Sequence, residues 1–364
     1  MRVLVTGSDG FVGRNLLVHL KEIRDLELIT FTRNDLIESL SEKVKEADFI
    51  FHLAGVNRPK EESEFTVGNS DLTKNLCDAI RKTKRSIPVV YTSSIQAELN
   101  NSYGKSKKEA EGHLLSLEKE TKNPIYIFRL PNVFGKWAKP NYNSAVATFC
   151  YNILNDLPVQ IHDPNSVINL VYVDDVISTF LKVMNSGVFQ NVDPVYQITV
   201  DNLKKQITAF KESKNTHVTE RVGTGLTRAL YSTYISYFKP DQFQYPLVKH
   251  EDPRGVFVEM LKTKDSGQFS FFTAHKGVTR GGHYHHTKTE KFLVIKGKAR
   301  YCFRHMITDE KFEIISTGDE PVVVETIPGW THDITNIGEE EMVVMLWANE
   351  IFDRENPDTY ASKV

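Results

Sequence analysis

The sequence predicts an α/β domain, with a parallel sheet covered by helices on both faces, followed by an all-β domain built as a small barrel or jelly roll. Three observations predict it. In the first part, short and nearly unbroken apolar runs alternate with amphipathic helical stretches. A glycine-rich turn follows the first of those runs directly. Beyond about residue 244, glycine-punctuated runs take the two-residue alternation of antiparallel strands. A chain of 364 residues exceeds one ordinary core, so two domains are expected, 1–243 and 244–364.

In the first domain the runs 3–6, 26–31, 47–53, 87–92 and 125–130 are the expected strands. Between them, 11–20, 71–85 and 105–120 carry helical spacing. The segment YFKPDQFQYP, 237–246, holds two prolines and reads as a linker. The second domain supplies VFVEML (256–261), QFSFFTA (268–274), KFLVIKG (291–297), ARYCFRH (299–305), KFEIIS (311–316), PVVVETI (321–327) and EMVVMLWA (341–348) as antiparallel strands.

Composition narrows the function. A formal net charge of −2 gives no basic field, which excludes nucleic acid and anionic membrane as expected partners. No run approaches about 20 apolar residues, so no transmembrane helix is expected, and the N-terminus lacks the pattern of a signal peptide. The three cysteines, Cys77, Cys150 and Cys302, are odd in number and scattered, as in a reducing cytoplasm.

Gly7, Gly10 and Gly13 stand in TGSDGFVG, after the first strand and at the opening of the first helix. A turn of that kind brings backbone N–H groups at a helix N-terminus against a pyrophosphate. The alternative, a tight structural turn, is disfavoured by its place at the head of a βαβ rhythm. At the end of the second strand, where NAD enzymes place an acidic residue for the ribose, stands Arg33. A guanidinium there suits the 2′-phosphate of NADPH, so NADPH is the expected cofactor.

Tyr103 and Lys107 are four apart in a helical stretch and therefore share a face. A nearby ammonium is expected to draw the phenol's pKa down towards working range. Tyr103 would then protonate a ketone oxygen as hydride arrives, with Ser94, at the end of the fourth strand, bonding the same oxygen. An isolated Tyr-x-x-x-Lys is common on solvated helices; the glycine turn and the strand-end serine make it specific.

These motifs resemble the extended short-chain dehydrogenases/reductases that act on nucleotide sugars, over about residues 1–240. Besides the glycine turn, the resemblance is carried by HLAG (52–55), TSS (92–94), YGKSK (103–107), RLPNVFG (129–135) and NLVYVDDV (169–176). It implies a Rossmann-type sheet, with Ser94, Tyr103 and Lys107 as the catalytic set and Ser93 as a competing hydroxyl. It also implies that Phe11, Leu53, Ala54 and Gly55 line the cofactor, and that Arg129 and Asn132 line a UDP-sugar pocket. The chain departs from the family in a shortened run from SSIQAELN to Tyr103.

In the second domain, GVTRGGHYHHTKTEKFLVIKG sets His283 and His285 on one strand face, with Glu290 where a returning strand could meet them. His332 follows the turn at Pro328-Gly329. Three imidazoles and a carboxylate suit a divalent metal: zinc first, then nickel, iron or manganese. A histidine pair alone would more often be surface residues. Gly277, His283, His285, Glu290 and Gly297, with Gly329, His332 and Asn336, resemble the two cupin motifs. DPRGVFVE (252–259) and TRGGHYH are similar to sugar-nucleotide 3,5-epimerases, where His283 would match the base. Ligand is the reading preferred, because His285 and Glu290 complete a metal set. His286 and His305 are read as solvated or structural.

An extended reductase joined to a C-terminal cupin resembles the bifunctional bacterial capsule enzymes of the UDP-N-acetyl-L-fucosamine route. The resemblance implies epimerisation at carbon 3 of a UDP-2-acetamido-2,6-dideoxy-4-hexulose, then NADPH reduction at carbon 4 to the L-talose sugar, in a homodimer. The order follows from chemistry: the ketone acidifies its neighbours, a Lewis-acidic metal stabilises the enolate, and reduction ends that acidity. The alternatives are a reductase whose barrel is a structural or dimerising module, and an NADPH sensor with a dead site.

Overall fold

In the computed structural model, which describes residues 1–247, 250–252, 255–257, 261–263, 267–350 and 355–364, the first apolar run forms Arg2–Thr6 (β1). It leads through the glycine turn into Phe11–Lys21 (α1). There follow Glu27–Phe31 (β2), Ser39–Glu46 (α2), Phe49–His52 (β3), Ser63–Phe65 (α3), Leu72–Thr83 (α4), Val89–Ser94 (β4), Ser102–Thr121 (α5) and Ile125–Leu130 (β5). The five strands make one parallel sheet in the order β2-β1-β3-β4-β5. The chain steps outward from β1 to β2, then crosses back over β1 to β3. This reversal opens a crevice at the carboxyl ends of β1 and β3, where open α/β sheets bind ligands.

The core explains the helices. Ala110, Leu114 and Leu117 repeat at helical spacing on α5 and are fully buried with Leu4, Ile50 and Leu76. Truncating Leu114 to Ala would cost about 2–5 kcal/mol.

Three further strands, Asn132–Phe134 (β6), Val167–Tyr172 (β7) and Tyr196–Thr199 (β8), form a small second sheet. Ala145–Leu154 (α6) lies between β6 and β7 in sequence, and Val173–Ser186 (α7) between β7 and β8. By contacts the chain falls into two units, Met1–Ser144 with Val167–Ile198, and Ala145–Ser166 with Thr199–Val364.

In the second unit Val200–Thr216 (α8), Val218–Thr219 (β9) and Gly225–Ile235 (α9) precede the barrel. Then come Gln244–Pro246 (β10), His250–Asp252 (β11), Gly255–Phe257 (β12), Lys262–Thr263 (β13), Gln268–Ala274 (β14), Thr279–Tyr284 (β15), Glu290–Lys296 (β16) and Lys298–His305 (β17). Lys311–Thr317 (β18), Val322–Glu325 (β19), Trp330–Asn336 (β20), Met342–Ala348 (β21) and Tyr360–Ala361 (β22) complete it. Two antiparallel sheets result, β10-β19-β16-β21-β14 and β18-β17-β20-β15-β22, which is a jelly roll. Phe292 of the first sheet meets Tyr301 of the second at 5.9 Å between ring centroids.

The supposed linker 237–246 is corrected. Pro240 opens a short 3-10 turn, β10 pairs with β19, and Phe243 is fully buried against Phe303 and Trp330, edge to face. Its prolines stand at the turn and at the strand end, where neither blocks the ladder. Of the expected run 256–261, residues 258–260 lie outside the described residues, as do 253, 254, 258 and 259 of DPRGVFVE.

The helices α8 and α9 belong to the barrel's unit. The Ser232 hydroxyl donates to the Thr287 carbonyl at 2.8 Å. Lys291 is buried in an ion pair with Glu325, whose other oxygen lies 3.8 Å from the Lys214 ammonium of α8.

Candidate active site and metal centre

At the glycine turn, Gly7 has φ +70°, and its N–H donates to the Phe31 carbonyl at 2.7 Å. A Cβ on Gly7 would stand 2.7 Å from Ala54 Cα, and one on Gly13 would stand 2.2 Å from the Gly7 carbonyl oxygen. The glycines are therefore demanded first by the packing of β1, β3 and α1. A pyrophosphate would meet the bare N-terminus of α1, where Gly10 is the N-cap with no side chain bonded over it. Phe11 opens the helix, and Leu53–Gly55 follow β3 on the other side of the crevice.

Tyr103 and Lys107 lie in the first turns of α5, whose start is fixed by Asn101, the side chain of which accepts from Gly104 N–H at 2.7 Å. Gly104 could carry no side chain: a Cβ there would be 2.1 Å from the Gln96 carbonyl. The Ser94 hydroxyl accepts from Gln96 N–H at 3.2 Å and acts to lower the pKa of the Tyr103 phenol, while Ser93 donates to Glu111 Oε1 at 2.5 Å. Ser93 is thus engaged by Glu111, and Ser94 is the hydroxyl that bears on the tyrosine.

The buried Lys107 ammonium donates to the Thr92 carbonyl at 2.9 Å. A Cβ on Gly55 would come within 3.1 Å of it. Burial pulls the Lys107 pKa down to about 8, partly opposed by Glu111. The expectation for the phenol is corrected: burial raises the Tyr103 pKa, and Ser94 works the other way without prevailing. In a dry site the neutral phenol is favoured over the phenolate. That is the form that carries a proton to give.

Glu111 was missed from the sequence, although it stands four residues after Lys107 on the same helical face. It takes Arg129 in a bidentate pair, 2.9 Å from Nε to Oε1 and 2.6 Å from Nη2 to Oε2, and Glu98 takes Nη1 at 2.8 Å. Arg129 also lines a cavity of about 580 Å³ together with Ile95, Leu115, Phe128, Asn169 and Phe189. Asn132 is exposed on β6 and donates to the Asn169 carbonyl at 3.0 Å.

Arg33 projects into solvent, 87% exposed, with Nε 4.0 Å from the Asp9 carboxylate. The nearest carboxylate along the chain, Asp35, is spent locally. It accepts from Thr32 N–H at 2.7 Å and from Lys43 at 2.7 Å, which hold its pKa down to about 2.

The second cluster lies between the barrel's sheets. His283 and His332 are cross-strand partners on β15 and β20, next to a bulge at Gly281 (φ +92°). His285 stands just past β15, and Glu290 opens β16 in the opposite sheet. One ligand atom from each of these four residues lies within 4.8 Å of all the others. Glu290 Oε2 is 3.3 Å from His285 Nε2 and 3.5 Å from His332 Nε2.

Burial brings the His283 pKa down to about 3, helped by His332 and His285, and it lowers that of His332. Burial acts to raise the Glu290 pKa, but His285 and His332 outweigh it and hold the carboxyl well below its ordinary value. Both ring nitrogens of His332 are buried without a hydrogen-bond partner. Three imidazoles around a carboxylate, with orphaned nitrogens on one ring, fit a divalent cation. His286 is buried, which excludes the solvated reading for it. Among the described residues, no helix is long and apolar enough to cross a membrane.

Residues 3–198 match the NAD dependent epimerase/dehydratase family, and residues 250–360 match the polysaccharide biosynthesis C-terminal domain. The chain is 60% identical over 368 residues to the UDP-2-acetamido-2,6-beta-L-arabino-hexul-4-ose reductase of Pseudomonas aeruginosa, covering all of this chain and 99% of that one. It is similar over the full length of both chains to the crystal structure of the capsular polysaccharide assembling protein CapF from Staphylococcus aureus, at 39% identity and a TM-score of 0.69. UDP-glucuronic acid 4-epimerase from Bacillus cereus in complex with NAD shares the fold, at 18% identity and a TM-score of 0.56 over 65% of this chain and 96% of that one. A nicotinamide dinucleotide cofactor accords with these matches. The chain is an enzyme that belongs to the NAD dependent epimerase/dehydratase family.

Proposed function

We propose that the protein is a bifunctional sugar-nucleotide enzyme with two sites. In the barrel, a UDP-2-acetamido-2,6-dideoxy-4-hexulose is epimerised at carbon 3. In the 1–243 domain, the 4-ketone is then reduced to UDP-2-acetamido-2,6-dideoxy-L-talose. The substrate class is taken from the name of the 60% identical relative. The observation that carries the reading is that one chain holds two chemically different groups of residues: Ser94 at the end of β4 with Tyr103 and Lys107 at the start of α5, in the unit that carries the dinucleotide turn, and four metal-type ligands within 4.8 Å of one another.

The reductase residues divide the work. The bare N-terminus of α1 takes the pyrophosphate, and Arg33 takes the 2′-phosphate, which makes the cofactor NADPH. NADPH supplies the hydride when bound. Tyr103 gives its proton to the ketone oxygen, and Ser94 holds that oxygen against the phenol. The raised Tyr103 pKa suits this direction, because reduction needs the phenol protonated. Lys107 lends positive charge to the phenolate left behind.

In the barrel, His283, His285, Glu290 and His332 would hold a divalent ion, zinc by the chemistry of the donors. The ion supplies a Lewis acid that favours proton loss next to the ketone. Three free cysteines, two of them buried, accord with a reducing cytoplasm.

A second reading, a reductase with a purely structural barrel, is favoured by the relative's name, which speaks of reduction alone. The primary reading is tested by following NADPH oxidation with the UDP-linked 4-keto sugar. Wild type should turn over, and Tyr103→Phe should not. Equal rates in the two proteins would remove Tyr103 from the mechanism.

A further inference from the structure

We propose that Asp358 is a positioning residue for the metal centre, holding His285 in the tautomer that presents a free Nε2 lone pair to a divalent cation. The proposal rests on the metal reading of the four-residue cluster. Its basis is the C-terminal strap. β22 pairs with β15, Ala361 opposite His283 and Tyr360 opposite Tyr284, and Ser362 N–H donates to the Gly282 carbonyl at 2.8 Å. The last residues of the chain are thus laid along the strand that carries the ligands.

Within that strap, the main-chain carbonyl of Asp358 lies 2.6 Å from His285 Nδ1. A carbonyl can only accept, so Nδ1 must carry the proton, and in the neutral ring Nε2 is then bare. Nε2 is the atom that faces Glu290, 3.3 Å away. An outer partner that fixes the tautomer in this way is the usual companion of a histidine ligand.

The side chain of Asp358 explains why its carbonyl is aimed so well. Oδ1 accepts from His286 N–H at 2.9 Å, and Oδ2 accepts from the N–H groups of Thr287 at 2.9 Å and Lys288 at 2.7 Å, and from the Thr287 hydroxyl at 3.0 Å. The carboxylate sits in a nest of backbone donors formed by the loop that joins His285 to Glu290. Asp358 adopts φ +38°, a left-handed value that aspartate tolerates better than most residues. The strap also receives the Lys288 ammonium, at Thr359 Oγ1 2.7 Å away. One residue therefore clamps the loop between two ligands and fixes the protonated nitrogen of the first.

The test uses the full-length chain as wild type, Asp358→Ala, Asp358→Asn and Thr359→Ala. Long-range ¹H–¹⁵N correlation of the metal-free, ¹⁵N-histidine-labelled proteins reads the His285 tautomer. Competition with a chromophoric chelator reads zinc affinity. Wild type and Thr359→Ala should show His285 protonated at Nδ1. Asp358→Ala should show a tautomer mixture and bind zinc on the order of 10- to 100-fold more weakly, with Asp358→Asn between. Should Asp358→Ala fail to fold, Asp358→Asn gives both readouts. A lower melting temperature with an unchanged tautomer and unchanged zinc affinity would overturn the proposal, leaving the strap purely structural. Absence of zinc binding in wild type would overturn the metal reading itself, a separable result, because the tautomer spectrum is taken without metal.

Discussion

The α-carbon hydrogen of Gly13 points at the carbonyl of Gly7: a Cβ built on Gly13 would lie 2.2 Å from that oxygen. Helix α1 can start where it does only because residue 13 is glycine. Gly13→Ala should therefore cost about 1–3 kcal/mol by overpacking and weaken cofactor binding through the displaced turn. Gly112→Ala is the natural control, since its Cβ would meet nothing within 4 Å on α5. It should raise stability by about 1 kcal/mol. Urea midpoints of the two variants check both signs.

Lys107 sets a pH limit. Its pKa is lowered by burial from 10.5 to about 8, so its charge is present below about pH 8 and is lost as pH rises through that value. Reductase kcat/KM, which reports the free enzyme, should fall as pH climbs past about 8. For stability the sign is opposite: the buried charge is a cost that is relieved between about pH 8 and 10.5. A profile flat to pH 10 would contradict the assignment.

Arg33 is exposed, its Nε 4.0 Å from the Asp9 carboxylate, while Asp35 is tied to Thr32 and Lys43. Arg33→Ala should raise KM for NADPH on the order of 10- to 100-fold and leave KM for NADH nearly unchanged. Steady-state kinetics with both cofactors decide this.

Removing a ligand should remove the metal. His332→Ala is expected to lose the bound divalent ion in elemental analysis while keeping NADPH binding, because the two sites occupy different units of the chain. Metal retained at wild-type stoichiometry would dismiss the cluster as a site.

The strands of the first unit were legible because each is a short apolar run between turn residues; the run 125–130 coincides with β5 residue for residue. The placement of Tyr103 and Lys107 together in the first turns of α5, and of His283 beside His285, follows from spacing, since helix and strand periods carry i+4 and alternating positions to one face. What escaped the sequence reading was tertiary. Nothing local in FQYP announces that Phe243 will be buried against Trp330. Glu111 reads as one more charge on a helix until Arg129 arrives from β5. Asp358 lies 73 residues from His285, and only strand pairing brings them together. The pKa of Tyr103 was read from its neighbour, whereas burial of the ring decides it.

The central claim, that the barrel epimerises what the other domain reduces, is tested most directly by exchange at carbon 3. The UDP-linked 4-keto sugar is incubated in D₂O with enzyme and no NADPH, and deuterium incorporation is read by NMR and mass spectrometry. The account predicts incorporation with wild type and with Tyr103→Phe, and none with His285→Ala. No incorporation with wild type, under conditions where it oxidises NADPH, would contradict the account and leave the barrel a structural module.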